Sequence, residues 1–267
     1  MGEKTKYRVF ILLVLSLLVM GAGKVIVSQF VDWEKTKAVK THTGWTRNIF
    51  KSQTQTLDMI DVDAFTLYPG KVTHQYLVDR QNDEVYLVKE GSAEMSVNNG
   101  ITHLNEGGMA VVSQGNRVVI SNKGSGNLIY YIVRLKPRYV KPASKNTKRV
   151  KTFFSFSDTV KPGNISAGNI FPVFSRSTSS LKNLDLHTIK LKSDFNNMET
   201  FSGNEEELVL VRNGIIFGTL NNNQYRLGKG SMLFLTGRES VEIENGSNTD
   251  CEYYVIKWQT WTQETKK

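Results

Sequence analysis

Four residues in the first half of this chain offer acid–base chemistry: His74, Tyr76, Asp79 and Glu84. If residues 71–78 form a strand, its period of two puts His74 and Tyr76 on one face. An imidazole and a phenol beside two carboxylates make a proton-transfer set. Such a set would serve a metal-independent isomerase or epimerase, or a lyase acting on sugar acids. The places 123 residues after His74 and Tyr76 hold Asn197 and Glu199, so the set would occur once only. The competing structural expectation is that His74 is a partly buried imidazole with a backbone partner.

A second set could bind rather than react. Glu84 and Glu207 open strands, and Tyr130-Tyr131 and Tyr253-Tyr254 alternate faces, so one tyrosine of each pair points inward. Glu84, Tyr131, Glu207 and Tyr254 are the candidate ligand-binding residues, because a cavity lined by Tyr and Glu suits a sugar or another polyol. The alternatives are tyrosines that only pack the core and glutamates that face water within their acidic runs, Asp83-Glu84 and Glu205-Glu206-Glu207. Of the other histidines, His42 and His103 read as solvated, and His187 begins a strand with only Asp185 placed to orient it. The single cysteine, Cys251, excludes an intrachain disulfide and reads as a small core group. One cysteine and four histidines make a structural zinc site untenable. No nucleophile elbow and no glycine-rich phosphate loop is present.

The elements that would position these residues occur twice. Residues 63–135 align without a gap on residues 186–258, with 14 identities in 73 positions. Average composition would give about 4–5. The identities include Glu84/Glu207, Gly91/Gly214, Asn98-Asn99/Asn221-Asn222, Gly107/Gly230, Asn122/Asn245 and Tyr130-Tyr131/Tyr253-Tyr254. These are turn and strand residues that shape a backbone, so the chain reads as a duplication of one small domain. Within each copy, short strands alternate with Gly and Asn turns. In the first copy they run 84–89, 92–97, 110–112, 117–121 and 128–135. In the second they run 207–212, 215–220, 231–236, 240–244 and 252–258. That pattern predicts an all-β, antiparallel sandwich or barrel.

Glu84, then Gly91 seven residues on, a strand, an Asn-Gly turn, Gly107 and Asn122 resemble the two motifs of the cupin superfamily. Glu207, Gly214, Gly230 and Asn245 repeat them at identical spacing. The resemblance implies two tandem cupin-like jelly-roll β-barrels, a bicupin, with a metal or ligand held in each lumen. It also implies ligand positions that this chain does not fill with imidazoles. They hold Leu77, Asp79, Glu84 and Val118 in one copy, and Thr200, Ser202, Glu207 and Val241 in the other. Valine has no lone pair, and one or two carboxylates do not make a selective iron or manganese site. No metal and no cofactor is therefore expected.

Residues 9–22 carry no charge and follow Lys4, Lys6 and Arg8. Apolar character resumes after Lys24, so 9–27 is just long enough to span a bilayer. The organisation expected is thus a signal-anchor and N-terminal hydrophobic helix (1–27), a stalk or arm with Trp33 and Trp45 (28–57) and a first cupin-like domain (58–140). A basic, phenylalanine-rich linker arm (141–182) and a second cupin-like domain (183–260) follow. The positive-inside rule places the bulk outside the cytoplasm, on the periplasmic or extracellular side. The net charge is +9, concentrated in a linker run from Lys136 to Lys151 without acids. No nucleic-acid motif accompanies it, so the run reads as a solvated linker. The partners expected are a membrane through the N-terminal helix, a carbohydrate or anionic small molecule, and a protein partner or second copy. The function expected is a binding or assembly module. A sugar isomerase or lyase in the first barrel is one alternative, and an accessory subunit of a membrane complex is the other.

Overall fold

The computed structural model describes residues 27–141, 152–155, 161–165, 168–193, 199–201, 205–237 and 239–262. The apolar N-terminal segment, apart from Val27, and most of the basic run lie outside them. No described helix is long and apolar enough to cross a membrane. Among the described residues the only helix is the 3₁₀ turn Trp33–Lys35.

Everything else is antiparallel β-structure in two similar halves. In the first, a seven-stranded sheet has the spatial order Thr152–Ser155, Met109–Ser113, Asp83–Glu90, Leu128–Pro137, Leu57–Leu67, Gly44–Ser52, Val39–Lys40. A four-stranded sheet faces it, in the order Tyr76–Leu77, Arg117–Ser121, Ser92–Val97, Gly100–Asn105. In the second half the large sheet runs Gln29–Val31, Met232–Leu235, Glu206–Asn213, Cys251–Gln259, Asn183–Leu191, Gly168–Arg176, Gly163–Ile165. Its small sheet runs Glu199–Phe201, Val241–Asn245, Ile216–Leu220, Asn223–Leu227. The expected strands are present with their ends moved by a residue or two. The 71–78 strand shrinks to Tyr76–Leu77. The hairpins close on Asn98-Asn99 and Asn221-Asn222, all four at positive φ. Two consecutive left-handed residues make the tight turn whose twist matches the strands, and asparagine tolerates that backbone.

Three apolar cores result. One fills the first barrel (Tyr86, Met95, Val118, Ile120, Tyr130). Another fills the second (Val209, Leu233, Val241, Tyr253, Cys251). The largest lies between the two seven-stranded sheets and draws on both halves, including Ile60, Leu87, Tyr131, Leu210, Phe234, Tyr254 and Trp258. Both faces of the strand Leu128–Pro137 are therefore covered, which accounts for its nearly unbroken apolar run.

The halves also exchange edge strands. Gln29–Val31, from before the first barrel, pairs with Met232–Leu235 at the edge of the second barrel's sheet. Thr152–Ser155, from before the second barrel, pairs with Met109–Ser113 of the first. Phe30 pairs with Leu233 and Phe154 with the equivalent Ala110, so these two phenylalanines correspond, each packing on the core of the barrel its arm joins. Each arm caps the other half's open sheet edge, which would otherwise present unpaired backbone groups. The 28–57 segment is thus only partly a stalk. Its strand Gly44–Ser52 belongs to the first barrel's sheet, and its N-terminal end belongs to the second's.

Cys251 is fully buried, and burial pushes its thiol up to about 12. It is expected to resist a thiol-specific disulfide reagent in the folded protein and to react only as fast as the chain unfolds. Stopped-flow labelling with and without denaturant checks this. Rapid labelling in native buffer would contradict the packed position.

Candidate functional site

Along Asp83–Glu90 even-numbered residues face the first barrel's interior and odd-numbered ones face the other half, as Tyr86 and Val88 against Val85 and Leu87 show. Glu84 therefore points inward and is 3% exposed. It is no solvated strand-start charge. Its Oε2 accepts hydrogen bonds from the hydroxyls of Tyr86 and Tyr76, the latter at 3.1 Å, and the two hydroxyls also contact each other. Its Oε1 lies 3.4 Å from Nε of Arg134, which reaches in from Leu128–Pro137. Nη1 of Arg134 is 2.6 Å from Asp63 and 3.6 Å from Asp61. Asn48 donates to both aspartates, and Lys51 sits 3.1 Å from Asp61. Burial raises the Glu84 carboxyl above its ordinary range, although Tyr86 and Arg134 pull against that. Burial also raises the Tyr76 phenol, reinforced by the Glu84 charge.

The second barrel repeats this arrangement with different groups. Glu207 is 4% exposed and lies 3.1 Å from Lys257, which stands 123 residues after Arg134. Lys257 pairs in register with Asp185, as Arg134 does with Asp61. His187 and Asp185 lie 3.7 Å apart. Burial raises Glu207 as well. No tyrosine pair stands here, because Val209 takes the place of Tyr86.

The candidate residues are therefore only partly brought together. Tyr76 and Glu84 meet. His74 does not join them. It is exposed, off the strand, with its ring 5.9 Å from that of His42. Asp79 is exposed and accepts a hydrogen bond from the Gln81 N–H at 2.9 Å, closing a turn at the barrel's end. Tyr131 and Tyr254 are in neither lumen. They sit in the core between the sheets with no hydrogen-bond partner for either hydroxyl, and burial raises both phenols. The inward members of the pairs are Tyr130 and Tyr253. Period two required one of each pair to point in. Which one did depended on the second barrel covering the outer face, a tertiary fact. Arg134 was missed. The available signal was a basic residue inside an apolar strand, recurring as Lys257 at the repeat distance.

At the end of this network the first barrel opens into a cavity of about 590 Å³, lined by Lys51, Ser52, Gln53, Asp58, Met59, Asp79, Asn82 and Lys136. Asn82 is 5% exposed and its Oδ1 has no hydrogen-bond partner. Lys51 links the cavity to the Arg134 network through Asp61.

No family model and no curated protein matches this sequence. Solved structures do. AerE from Microcystis aeruginosa is 14% identical, with a TM-score of 0.63 over 86% of this chain and 98% of that one. A variant of B. subtilis oxalate decarboxylase is 10% identical, with a TM-score of 0.68 over 88% of this chain and 78% of that one. The protein Ylba from E. coli is 13% identical, with a TM-score of 0.64 over 86% and 97%. All three have the cupin fold, and this chain therefore has it too, in tandem. At these identities the likeness concerns the fold alone.

Cupins as a class raise the question of a metal, and the residues present here do not fit one. Val118 is an aliphatic core residue paired with Tyr76, and Leu77 is exposed. Arg134 places a fixed positive charge against Glu84, the acid of the first barrel that faces the lumen. Among the described residues no group of three or more His, Cys, Asp or Glu side chains could hold an ion.

Proposed function

We propose that this protein is a metal-free bicupin binding module, tethered to a membrane by residues 1–27 with its barrels outside the cytoplasm. Its ligand is a polyhydroxylated acid of the sugar-acid class, taken into the cavity at the end of the first barrel. The observation that carries this reading is the gathering of two cations and two acids around one open cavity at the barrel's end. Lys51 and Lys136 supply positive charge for a carboxylate, and Asp58 and Asp79 supply acceptors for further hydroxyls. The membrane tether rests on the apolar N-terminal sequence.

The sugar isomerase or lyase alternative draws support from the Tyr76–Tyr86–Glu84 cluster, which is the chemistry such an enzyme would need. It is weakened by His74, the natural proton shuttle, which lies exposed and away from the cluster. Glu84 is also sealed, with its oxygens held by Tyr76, Tyr86 and Arg134, which leaves little of it open to a substrate. For the accessory-subunit alternative, the described part of the aromatic arm is used within the chain: Phe153 packs on Phe174, ring centroids 4.9 Å apart.

The test is calorimetric titration of the full chain, in mild detergent, with glucuronate and galacturonate, using glucose as the neutral control. Saturable uronate binding is expected, weakened about tenfold or more in Lys136→Met through loss of a charged hydrogen bond. Asn82→Leu is expected to raise Tm, by removing an unsatisfied buried side-chain carbonyl. Uronates that do not bind at about 10 mM, an affinity below about 3 kcal/mol, would sink this reading, as would equal binding by Lys136→Met.

A further inference from the structure

The internal repeat supplies its own control for a second cavity. This one, of about 430 Å³, lies where the first barrel meets the N-terminal arm and is lined by Trp33, Ala38, Trp45, Arg47, Thr66, Lys89, Asn127 and Ile129. The arm delivers Trp33, whose backbone N–H donates to Ser231 of the second barrel at 3.1 Å. Arg47 and Lys89 both lie against the Trp33 ring, at 4.6 and 4.4 Å from its centroid. Lys89 crosses to the second barrel, where Gly230 leaves room for it. A Cβ at Gly230 would come within 3.0 Å of the Lys89 Cε and 2.9 Å of the Trp33 ring.

Arg212 is the repeat counterpart of Lys89, and it crosses in the opposite direction over Gly107, the counterpart of Gly230. The two cations differ in one respect. Nη1 of Arg212 lies 2.7 Å from Glu252. The residue at the place of Glu252 in the first half is Ile129, 123 positions earlier, and Ile129 lines the cavity. Lys89 is 9% exposed. Neither it nor Arg47 forms an ion pair among the described residues, though both lie in the cavity wall. Burial lowers the Lys89 pKa, helped by the charges of Lys229 and Arg47 and opposed by those of Glu90 and Glu34, neither of which comes within ion-pair distance of it. A lysine this buried is seldom left without an anion.

We infer that this cavity binds a small carboxylate borne on a flat ring, the carboxylate standing against Lys89 and Arg47 where Glu252 stands against Arg212. Trp45, Ile129 and Ala38 provide the apolar walls for the ring, and Thr66 and Asn127 provide polar groups at its edge. The site is separate from the barrel-end cavity and does not depend on it.

The decisive variant is Ile129→Glu, which supplies the missing carboxylate from within. Benzoate would be titrated into the full chain in mild detergent, followed by tryptophan fluorescence and Tm, with benzyl alcohol as the uncharged analogue. The expected result is saturable quenching and a raised Tm with benzoate, little response to benzyl alcohol, and at least a tenfold loss of benzoate affinity in Ile129→Glu. That variant should unfold at a temperature no lower than wild type, because its new charge meets a waiting partner. Lys89→Gln, which keeps most of the stem, should lose benzoate binding as well. Unchanged benzoate binding in Ile129→Glu would overturn the inference, as would no response of the wild type to benzoate, or equal responses to benzoate and benzyl alcohol.

Discussion

Arg134→Met is expected to be among the most damaging single changes in the first barrel. The guanidinium faces Glu84, Asp63 and Asp61 at once, at 3.4, 2.6 and 3.6 Å. Removing it leaves three acids around an apolar thioether, and breaking one side of a buried charge cluster costs about 3–5 kcal/mol. The partial exposure of Arg134 argues for the lower end, about 3 kcal/mol, because water screens some of the repulsion. In a chain of this length that is a Tm loss of about 6–12 °C. The loss should depend on pH, and its sign follows from Glu84. Its folded pKa is raised, so its contribution is fully present below the ordinary carboxyl pKa of about 4.3 and is lost as pH rises through the folded value. Without Arg134 that folded value rises further, so the variant should come closest to wild type in mild acid and fall away as pH rises. Glu84→Gln in the same background should restore part of the stability and flatten the pH profile. Thermal melts between acid and neutral pH decide it. A deficit independent of pH would show that Arg134 acts through packing alone.

The ease of reading this fold from its sequence tracks how local each feature is. The duplication, the strand spacing and the asparagine turns were legible because they depend on neighbours in the chain. Glu84 and Glu207 stood out at the repeat distance, yet an acidic run suggested solvent as strongly as a lumen. What separated the two readings was the cation across the sheet, Arg134 or Lys257, and its pairing is set by register rather than by local composition. Tyr131 and Tyr254 were assigned to the lumen because alternation specifies two faces without saying what covers each. The apolar run around them is continuous on both faces, and that was the available clue to a second layer. The exchanged arms left a fainter trace. Phe30 and Phe154 take equivalent places but stand 124 residues apart, one off the repeat distance, and nothing local in Gln29–Val31 specifies an edge strand some 200 residues away. His74 failed for a simpler reason: the strand expected to carry it begins only at Tyr76, two residues further on.

The second large effect is expected where the halves lock together. Asp83 and Glu206 occupy equivalent places, and both point away from their own lumens into the other half. Glu206 accepts from the Thr54 hydroxyl at 2.6 Å, the Gln55 N–H at 2.7 Å, the Thr56 hydroxyl, and the indole of Trp258 at 3.2 Å. Asp83 accepts from the Thr178 and Ser180 hydroxyls and from the Ser180 N–H at 3.3 Å. The donors come from matching segments, Thr54-Gln55-Thr56-Leu57 and Thr178-Ser179-Ser180-Leu181, so each barrel's carboxylate is clasped by the turn that leads into the other barrel. Glu206→Leu strands several buried donors together, at about 1–3 kcal/mol for each group left without a partner. A total of about 3–5 kcal/mol is expected, since some donors will find water or one another. Asp83→Asn tests the opposite case. Burial raises the Asp83 carboxyl despite hydrogen bonds from Ser180, Thr178 and Ser113, so its ionisation erodes stability as pH rises through the folded value. An amide keeps one acceptor oxygen and never ionises. Asp83→Asn should therefore be mild, with a stability profile flatter than wild type above the carboxyl range. Denaturant titrations of both variants across pH give the comparison. If Glu206→Leu melts like wild type, the apolar core between the sheets holds the halves together unaided and the clasps only set their alignment.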